Sequence, residues 1–145
     1  MRLATTYICT EDIEKSLNFY RLLLGEDPAY SNDNRWITFH CGNDLSLYNK
    51  KYDERLISEK GQIYFNQAYI DDFTTETGKR KNNVLILNFE VKDLRTEYER
   101  IKGLAIGTVS EMMYVNVHHP YWYFNVTDPD GNILEITGPY EEKIS

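Results

Sequence analysis

Apolar residues recur with helical spacing near the start of the chain. A β-rich run, residues 3–9 (LATTYIC), comes first, and Asp12 then occupies a position suited to a helix N-cap. The apolar positions that follow are spaced i, i+4, i+7 and i+11: Ile13, Leu17, Tyr20 and Leu24. Gly25 stands where such a helix would end. The pattern predicts a strand followed by an amphipathic helix.

Two short β segments and a further strand are predicted after this helix. The clearer segment is residues 35–41 (RWITFHC), which is rich in β-branched and aromatic residues. The turn-forming residues Gly42, Asn43 and Asp44 separate it from the strand LSLYN. The order predicted for this part of the chain is therefore β-α-β-β-β.

The same order returns later in the chain. The apolar run VLILNFEV reads as a strand, and Asp93 precedes a helix with Leu94, Tyr98 and Ile101 on one face and Gly103 at its end. Three further segments have β character: MMYVNVH, WYFNV and, after the turn DPDGN, ILEIT. The second part thus repeats the pattern of the first.

Two anchors in the same order support an internal duplication. Asp12-Ile13 matches Asp93-Leu94, and residues 42–47 match residues 131–136 as a turn that leads into a final strand. We therefore predict one domain over residues 1–145. It would comprise a first module of about residues 1–50, an insertion or linker of about 51–82 and a second module of about 83–141.

The predicted insertion is polar and lacks a clear period. A helical turn is indicated near residues 54–60, ended by Gly61, and an additional strand is possible in residues 62–69 (QIYFNQAY). A connector of this length typically serves as a lid, a dimerisation element or a tether between halves. These three alternatives stay open at the level of sequence.

Charge and composition exclude several classes of partner. Sixteen Lys and Arg residues against 23 Asp and Glu residues give a net charge of −7, the wrong sign for electrostatic binding of nucleic acid. No apolar run reaches the length of a membrane span, and the start of the chain lacks the features of a secretion signal, so we expect a cytoplasmic protein without a membrane partner. Cys9 and Cys41 are expected to be free thiols.

The duplicated module resembles a known superfamily in two stretches. The first helix reads DIEKSLNFYRLLLG and the closing segment reads YFNVTDPDGNILEITG, of which the DPDGN-x-x-E block is the more specific part. Together they are similar to the vicinal oxygen chelate (glyoxalase/bleomycin resistance protein/dioxygenase) superfamily. The resemblance implies an α+β fold in which tandem β-α-β-β-β modules form a cup-shaped mixed sheet with helices outside. It also implies a homodimer.

That superfamily includes glyoxalase-type lyases, extradiol dioxygenases and metal-free bleomycin-binding proteins, so fold alone does not fix the chemistry. Its metal enzymes use one ligand in the first strand and one in the last strand of each half. The corresponding positions here are Thr5, Ser46, Ile86 and Glu135. Only Glu135 is a good ligand, so we expect no metal cofactor. The alternative is one divalent metal ion held by Glu135 with His118 or His40 of a partner chain.

Strand alternation predicts which side chains share a face with those four positions. Tyr7 and Cys9 share the face of Thr5, Asn88 and Glu90 share that of Ile86, and Ile133 and Thr137 share that of Glu135. The opposite parity gives an apolar row suited to packing beneath a helix: Leu85, Leu87, Phe89 and Val91.

The run from His118 to Phe124 concentrates imidazoles and aromatic rings just before the DPDGN turn. Aromatic faces suit flat or cationic ligands, and Trp122 is our candidate from this run. The alternative is a hairpin whose rings alternate between the core and a dimer interface. The predicted ligand-binding residues are Thr5, Tyr7, Ser46, Ile86, Asn88, Glu90, Trp122 and Glu135.

Glu135 is the first candidate for a functional role, either as a polar anchor or as a catalytic general base. The alternative is an ancestral carboxylate that neighbouring side chains satisfy. The leading hypothesis is metal-independent binding of a small organic molecule in an aromatic cup. Two alternatives are a glyoxalase-like lyase or dioxygenase with a non-standard metal site, and an interaction module that uses its tyrosines to form a dimer.

Overall fold

A computed structural model describes residue 1 and residues 4–75, 85–116 and 118–142 of the chain. The chain divides into two units, Met1–Arg80 and Lys81–Ser145, each with its own β-sheet. Within the described ranges, no helix is both long and apolar enough to cross a membrane.

Unit 1 contains a four-stranded mixed sheet, with one helix between its first two strands in sequence and two helices after its last strand. Its elements are β1 (Thr5–Thr10), α1 (Ile13–Leu24), β2 (Tyr30–Asn32), β3 (Trp36–Cys41), β4 (Asn43–Asn49), α2 (Lys50–Tyr64) and α3 (Gln67–Thr75). The strand order is β1-β4-β3-β2, and β4 runs parallel to β1 and antiparallel to β3. In sequence, α1 lies between β1 and the other strands, and this crossover permits the parallel pairing of β1 with β4.

Unit 2 repeats this topology. Its elements are β5 (Leu87–Glu90), α4 (Leu94–Leu104), β6 (Met113–Asn116), β7 (Pro120–Thr127) and β8 (Ile133–Thr137). The strand order is β5-β8-β7-β6, with β8 parallel to β5 and antiparallel to β7. The predicted α+β class and the tandem β-α-β-β-β modules are therefore confirmed.

Helix α1 begins and ends as the sequence predicts. The Asp12 side chain accepts a hydrogen bond from the backbone N–H of Lys15 at 3.2 Å, and Gly25 takes the left-handed conformation with φ of 69°. The buried stripe, however, includes Ser16 as well as apolar residues: Ile13, Ser16, Phe19, Tyr20 and Leu23. The Ser16 hydroxyl is buried because it forms a 2.5 Å hydrogen bond with the hydroxyl of Thr10.

Helix α4 has the predicted start but a different end. Asp93 caps it by accepting from the backbone N–H of Thr96 at 3.1 Å, and these hydrogen bonds hold the pKa of Asp93 below its usual range. The predicted stop at Gly103 was wrong, because the helix continues to Leu104. Ala105, with φ of 50°, then closes the last turn through its N–H to the carbonyl of Lys102.

One face of each sheet carries the apolar core. In unit 1 the side chains of Ile37, Phe39, Leu45 and Leu47 are at most 4% exposed. In unit 2 the buried set is Phe124, Val126, Leu134 and Ile136, and the Tyr98 ring of α4 meets the Phe124 ring edge-on at 4.9 Å. Burial of such side chains contributes roughly 1.5–3 kcal/mol each and fixes which face of each strand is turned inward.

The possible strand in residues 62–69 was wrong, since residues 62–64 end α2, residues 67–69 begin α3, and residues 65–66 connect the two helices. Helix α2 contains the predicted turn at 54–60, departs from helical geometry at Lys60 and continues to Tyr64. In the next segment Phe65 stacks on Tyr69 at 4.6 Å, and Tyr69 stacks on Phe73 at 6.1 Å. The spacing of four residues places Tyr69 and Phe73 on one side of α3, and Phe65 stacks on Tyr69 from just before the helix.

A buried carboxylate joins α2 and α3 to the sheet of unit 1. The Asp53 side chain has no exposed surface, and Arg35 donates to both of its oxygens at 2.7 and 2.9 Å. The hydroxyls of Tyr48 and Tyr69 also donate to Asp53, each at 2.6 Å. Because β4 carries Tyr48 and α3 carries Tyr69, one carboxylate ties three elements of the unit together.

Removal of the Asp53 carboxylate should destabilise unit 1. The variant Asp53→Ala leaves Arg35 and two phenols without their shared acceptor, and we expect a loss on the order of 3 kcal/mol in the free energy of unfolding. Urea unfolding monitored by circular dichroism measures this loss. Asp27→Asn is the control, because Asp27 forms an exposed ion pair with Arg21 and should change stability little. Equal effects of the two substitutions would contradict the assigned role of Asp53.

The contribution of Asp53 to the free energy of unfolding should also depend on pH. Burial would raise the pKa of Asp53, but the hydrogen bonds from Arg35, Tyr48 and Tyr69 outweigh it and lower the pKa below the ordinary value. Such a group stabilises the fold above the unfolded-state pKa of about 3.9, and this stabilisation is lost as pH falls through the lower folded-state value. Unfolding curves should therefore show a smaller gap between wild type and Asp53→Asn at strongly acidic pH than at pH 7.

Candidate functional site

The face of the unit 2 sheet opposite its core carries three of the predicted ligand-binding residues: Asn88, Glu90 and Glu135. We call it the Glu135 face. The strand positions that share it, from the register and the alternation of side chains, are Asn88, Glu90, Met113, Val115, Tyr121, Tyr123, Asn125, Thr127, Ile133, Glu135 and Thr137. Three strands therefore present polar groups on one surface.

Glu135 lies at the centre of this face and is held from both neighbouring strands. Its Oε1 atom accepts from the Tyr121 hydroxyl at 2.6 Å and from the Asn88 amide at 2.8 Å. The Asn88 amide also donates to the Tyr121 oxygen at 3.1 Å. Within the described part of the chain, we find no hydrogen bond to the second oxygen, Oε2. The carboxylate is thus oriented through one oxygen while the other keeps its acceptor capacity.

Asn125 lies directly opposite Glu135 on β7. Its Oδ1 atom is buried and, among the described residues, has no hydrogen-bond partner. A buried carbonyl oxygen without a donor costs roughly 1–3 kcal/mol, so such atoms are rare in folded proteins. The backbone of Asn125 is satisfied, since its N–H donates to the Ser110 hydroxyl at 2.9 Å. The missing hydrogen bond is therefore that of the side-chain oxygen.

The prediction that Trp122 lines the cup does not agree with its place in the sheet. Trp122 alternates with Tyr121 and Tyr123 and so faces away from Glu135. Its ring lies 4.6 Å from that of Tyr140 and 4.4 Å from that of Tyr114. The aromatic residues on the Glu135 face are instead Tyr121 and Tyr123, whose ring centroids are 5.6 Å apart.

The remaining predicted residues of unit 2 divide into two groups. Asn88 and Glu90 lie on β5 and share the Glu135 face, as alternation predicts. Ile86 precedes the strand and is 51% exposed, so strand alternation does not define its direction. Of the apolar row predicted for the opposite face, Leu87 and Phe89 lie within β5, whereas Leu85 precedes it and is 70% exposed.

The equivalent face of unit 1 carries Thr5, Tyr7 and Ser46, as predicted. We call it the Ser46 face. Register places Tyr7 and Thr38 on either side of Ser46. The Ser46 hydroxyl bonds to those of Thr38 at 2.8 Å and Thr5 at 3.2 Å, and the Trp36 indole N–H donates to the Thr38 hydroxyl at 3.0 Å. These hydroxyls therefore satisfy one another.

Aromatic rings also gather on the Ser46 face. The Tyr7 ring lies 5.1 Å from that of Trp36 and 6.4 Å from that of Tyr48. Tyr7 keeps 54% of its surface exposed. The Tyr48 hydroxyl is committed to Asp53, and burial together with that hydrogen bond raises the pKa of Tyr48 above its usual range. Near Ser46 this face thus offers ring surfaces and hydroxyls that are already hydrogen-bonded.

The four positions where the resemblance implies metal ligands do not form a suitable donor set. Ile86 has no donor atom, and the hydroxyls of Thr5 and Ser46 are bonded to each other. Zinc and iron sites use histidine, cysteine or carboxylate ligands, of which only Glu135 is present. Across the described residues, no group of three or more His, Cys, Asp and Glu side chains is placed to hold a metal ion.

The histidines that could complete an alternative site lie elsewhere. His40 is on the Ser46 face, where its Nδ1 lies 2.7 Å from a carboxylate oxygen of Asp44. His118 and His119 lie in the bend before β7 and are exposed. Among the described residues, none of these histidines joins Glu135 in a group of three or more potential metal ligands.

An open pocket with a volume of about 500 Å³ also occurs in unit 1. Its lining is polar and includes none of the predicted residues: Asp33, Asn34, Asn49, Lys51, Tyr52 and Arg55. Tyr52 donates to Asp33 at 3.3 Å, and the Arg55 guanidinium lies over the Tyr52 ring. Its polar groups are exposed and can be satisfied by solvent. We therefore place the candidate site on the Glu135 face, where Tyr121 and Asn88 orient a carboxylate through one oxygen and, among the described residues, its second oxygen has no hydrogen bond.

Sequence reasoning missed Tyr121, Tyr123 and Asn125. The signal was available, because the tight turn at residues 128–132 fixes the register of β7 on β8. Counting back from the turn pairs Thr127 with Ile133 and Asn125 with Glu135, and alternation then adds the two tyrosines.

Comparisons with known proteins agree with this architecture. The family model described as Glyoxalase/Bleomycin resistance protein/Dioxygenase superfamily matches residues 2–136. A comparison of the sequence with curated proteins gives no significant match.

Three solved structures illustrate the similarity of fold. A glyoxalase-related enzyme from Fulvimarina pelagi has a TM-score of 0.63 and 21% identity, over 95% of this chain and 88% of that one. A structure described as lactoylglutathione lyase from Agrobacterium tumefaciens has a TM-score of 0.64 and 18% identity, over 94% of this chain and 92% of that one. A protein of unknown function from A. tumefaciens strain C58 has a TM-score of 0.66 and 18% identity, over 96% of this chain and 94% of that one. At these identities the likeness shows the fold.

The position of Trp122 predicts a structural role. Trp122→Ala should lower the free energy of unfolding by about 2 kcal/mol, because the substitution removes the ring that packs on Tyr140 and Tyr114. Urea unfolding followed by circular dichroism tests this. Ile63→Ala is a suitable comparison, since Ile63 is 75% exposed and should contribute little. An unchanged midpoint for Trp122→Ala would show that the ring does not stabilise the fold.

Proposed function

We propose that this chain, which belongs to the Glyoxalase/Bleomycin resistance protein/Dioxygenase superfamily, binds a small organic molecule on its Glu135 face and needs no metal ion to do so. The ligand carries at least one N–H or O–H donor and an apolar or aromatic part. Glu135 acts as the polar anchor. The observation that carries the proposal is the orientation of its carboxylate by Tyr121 and Asn88 through one oxygen.

Pre-organisation is the physical reason for assigning this role to Glu135. The two donors come from β7 and β5, which flank β8, so the carboxylate is fixed by three paired strands rather than by a loop. A ligand that donates to Oε2 meets an acceptor that is already oriented, and it avoids the entropic cost of ordering a free side chain. Hydrogen bonds to a charged acceptor are also stronger than neutral ones.

The rings beside the carboxylate support binding of a flat or apolar group. Tyr121 and Tyr123 provide two neighbouring aromatic surfaces on the Glu135 face. Tyrosine combines a large contact area with few rotatable bonds, which favours its use in ligand sites. The proposal therefore retains the aromatic character expected from the sequence but assigns it to Tyr121 and Tyr123 instead of Trp122.

Metal independence rests on the chemistry of the donor set. Glu135 is the one strong ligand among the four positions that the superfamily uses, and hydroxyls bonded to each other compete poorly for a divalent cation. As further parts of the proposal, we expect a homodimer and action in the cytoplasm. The competing function is a glyoxalase-like lyase or dioxygenase whose metal is completed by a histidine from a partner chain.

Loss of the Glu135 charge should weaken ligand binding. A library of flat and cationic fragments would be screened by thermal shift, and dissociation constants of the hits measured by calorimetry for wild type and Glu135→Gln. We expect affinity to fall at least tenfold, because a charged hydrogen bond contributes about 1.5–3 kcal/mol. Tyr121→Phe should produce a smaller loss, since it frees the carboxylate without removing it.

The matched control is Glu99→Gln, which neutralises an exposed carboxylate on α4 of the same unit. It should leave every affinity unchanged. Hits that bind wild type and Glu135→Gln with equal affinity would place the ligand elsewhere and overturn the proposal.

Chelation should leave binding intact. We expect protein purified without chelators to contain far less than one equivalent of zinc, nickel, iron or manganese by elemental analysis. Dialysis against EDTA should not change the dissociation constants of the hits. Near-stoichiometric metal that disappears in Glu135→Gln, together with loss of binding after chelation, would instead establish the metal-dependent function.

A further inference from the structure

We propose that the ligand of the Glu135 face is an organic ammonium ion. Its positive charge pairs with the Glu135 carboxylate, and its apolar or aromatic part packs on the rings of Tyr121 and Tyr123. This inference rests on the proposed function and deepens it by naming the chemical class of the ligand. The proposed function requires only a hydrogen-bond donor, which neutral alcohols and amides also supply, whereas this inference requires a positive charge.

The first argument is that the second oxygen of Glu135 can be reached from solvent. Oε1 accepts from the Tyr121 hydroxyl and the Asn88 amide, whereas Oε2 has no hydrogen bond among the described residues. In the described part of the chain, Oδ1 of Asn125 is the only buried side-chain oxygen or nitrogen without a partner, so Oε2 is not buried. A ligand can therefore place a cationic N–H group against Oε2.

The second argument is the sign of the charge on this face. Both donors that hold Glu135 are neutral, so they orient the carboxylate without compensating its negative charge. None of the strand positions on the face is Lys, Arg or His. Glu90 adds a second negative charge, and the spacing of strands and residues places its Cα atom roughly 8 Å from that of Glu135. A cation is thus attracted to the face, whereas a neutral donor gains nothing from this charge.

The third argument is the pair of rings beside the carboxylate. The rings of Tyr121 and Tyr123 are half-buried, and their centroids are 5.6 Å apart. The face of an aromatic ring attracts a cation, and this attraction is larger where water is partly excluded. The hydrogen bond from Tyr121 to the carboxylate also polarises the phenol and makes its ring more electron-rich. The carboxylate and the rings therefore attract the same positive group.

Three benzyl compounds separate charge from hydrogen bonding. Benzylamine carries a charge and N–H donors at neutral pH, benzyltrimethylammonium carries a charge without N–H, and benzyl alcohol carries an O–H donor without a charge. NMR titration of the full ¹⁵N-labelled chain measures each dissociation constant and locates the site by the amide shifts. We expect benzylamine to bind at least tenfold more tightly than benzyl alcohol, with benzyltrimethylammonium between them and the shifts centred on β7 and β8.

The key variant is Glu135→Gln, which keeps the size of the side chain and removes the charge. It should weaken benzylamine at least tenfold and benzyl alcohol less than threefold, because a glutamine carbonyl still accepts from an O–H group. Glu99→Gln makes the same change in net charge on α4 and should leave all three affinities unchanged. Thermal unfolding of both variants shows whether they are folded.

Tyr123→Leu tests the contribution of the rings separately from that of the carboxylate. Leucine keeps an apolar contact but lacks a ring face, so benzyltrimethylammonium should bind about threefold more weakly. Benzyl alcohol should change less, because it carries no charge. A larger loss for benzyl alcohol than for benzyltrimethylammonium would show that the rings do not select a cation.

Three other outcomes would overturn the inference. They are no saturable binding of benzylamine in the millimolar range, equal affinity for benzylamine and benzyl alcohol, and unchanged benzylamine affinity in Glu135→Gln. If neutral donors bind as tightly as cations and still depend on Glu135, the ligand class is wrong while the proposed function stands. If no compound responds to Glu135→Gln, both fail.

Discussion

The register of the central strand in each sheet is the constraint on which the rest of this protein depends. Strand β8 is paired in parallel with β5 and antiparallel with β7, so its side chains cannot change face without breaking both pairings. Leu134 and Ile136 are almost fully buried, and Glu135 between them is turned to the other face. A shift of one residue would bury a carboxylate and expose two apolar side chains, which is strongly unfavourable. Core packing therefore positions the candidate anchor.

A different interaction determines the structure of the segment after β4. The sequence between the modules looked like a polar connector because its key contacts are formed over long distances in sequence. Asp53 pairs with Arg35, which precedes β3, and with Tyr69 on α3. No local pattern marks an aspartate in a helix as fully buried, since aspartate usually lies at the surface. The sequence consequently predicted only one helical turn in this segment, and it left open a strand where α2 ends and α3 begins.

Local rules performed well wherever a local interaction determines the structure. Asp12, Asp93 and Gly25 act at helix ends through contacts within a few residues, and sequence predicted all three. Alternation also placed Ser46, Asn88 and Glu135 on the faces where they lie. Trp122 was assigned to the wrong face of the sheet because its segment was interpreted as an aromatic cluster. The strand register was not counted from the neighbouring turn. Partners such as Tyr121 for Glu135 depend on side-chain length and direction, which a periodic pattern does not encode.

The duplicated modules show how one arrangement leads to two chemical outcomes. Tyr7, Ser46 and Thr38 of the first sheet occupy the same relative positions as Asn88, Glu135 and Asn125 of the second. In the first set the hydroxyls of Ser46 and Thr38, each able to donate and accept, bond to each other and leave a closed network. In the second set the carboxylate has no proton to donate when ionised, and the Asn125 oxygen can only accept. The Oδ1 atom of Asn125 therefore has no donor among the described residues, whereas the hydroxyl of Thr38, at the equivalent position of the first sheet, bonds to its neighbour Ser46.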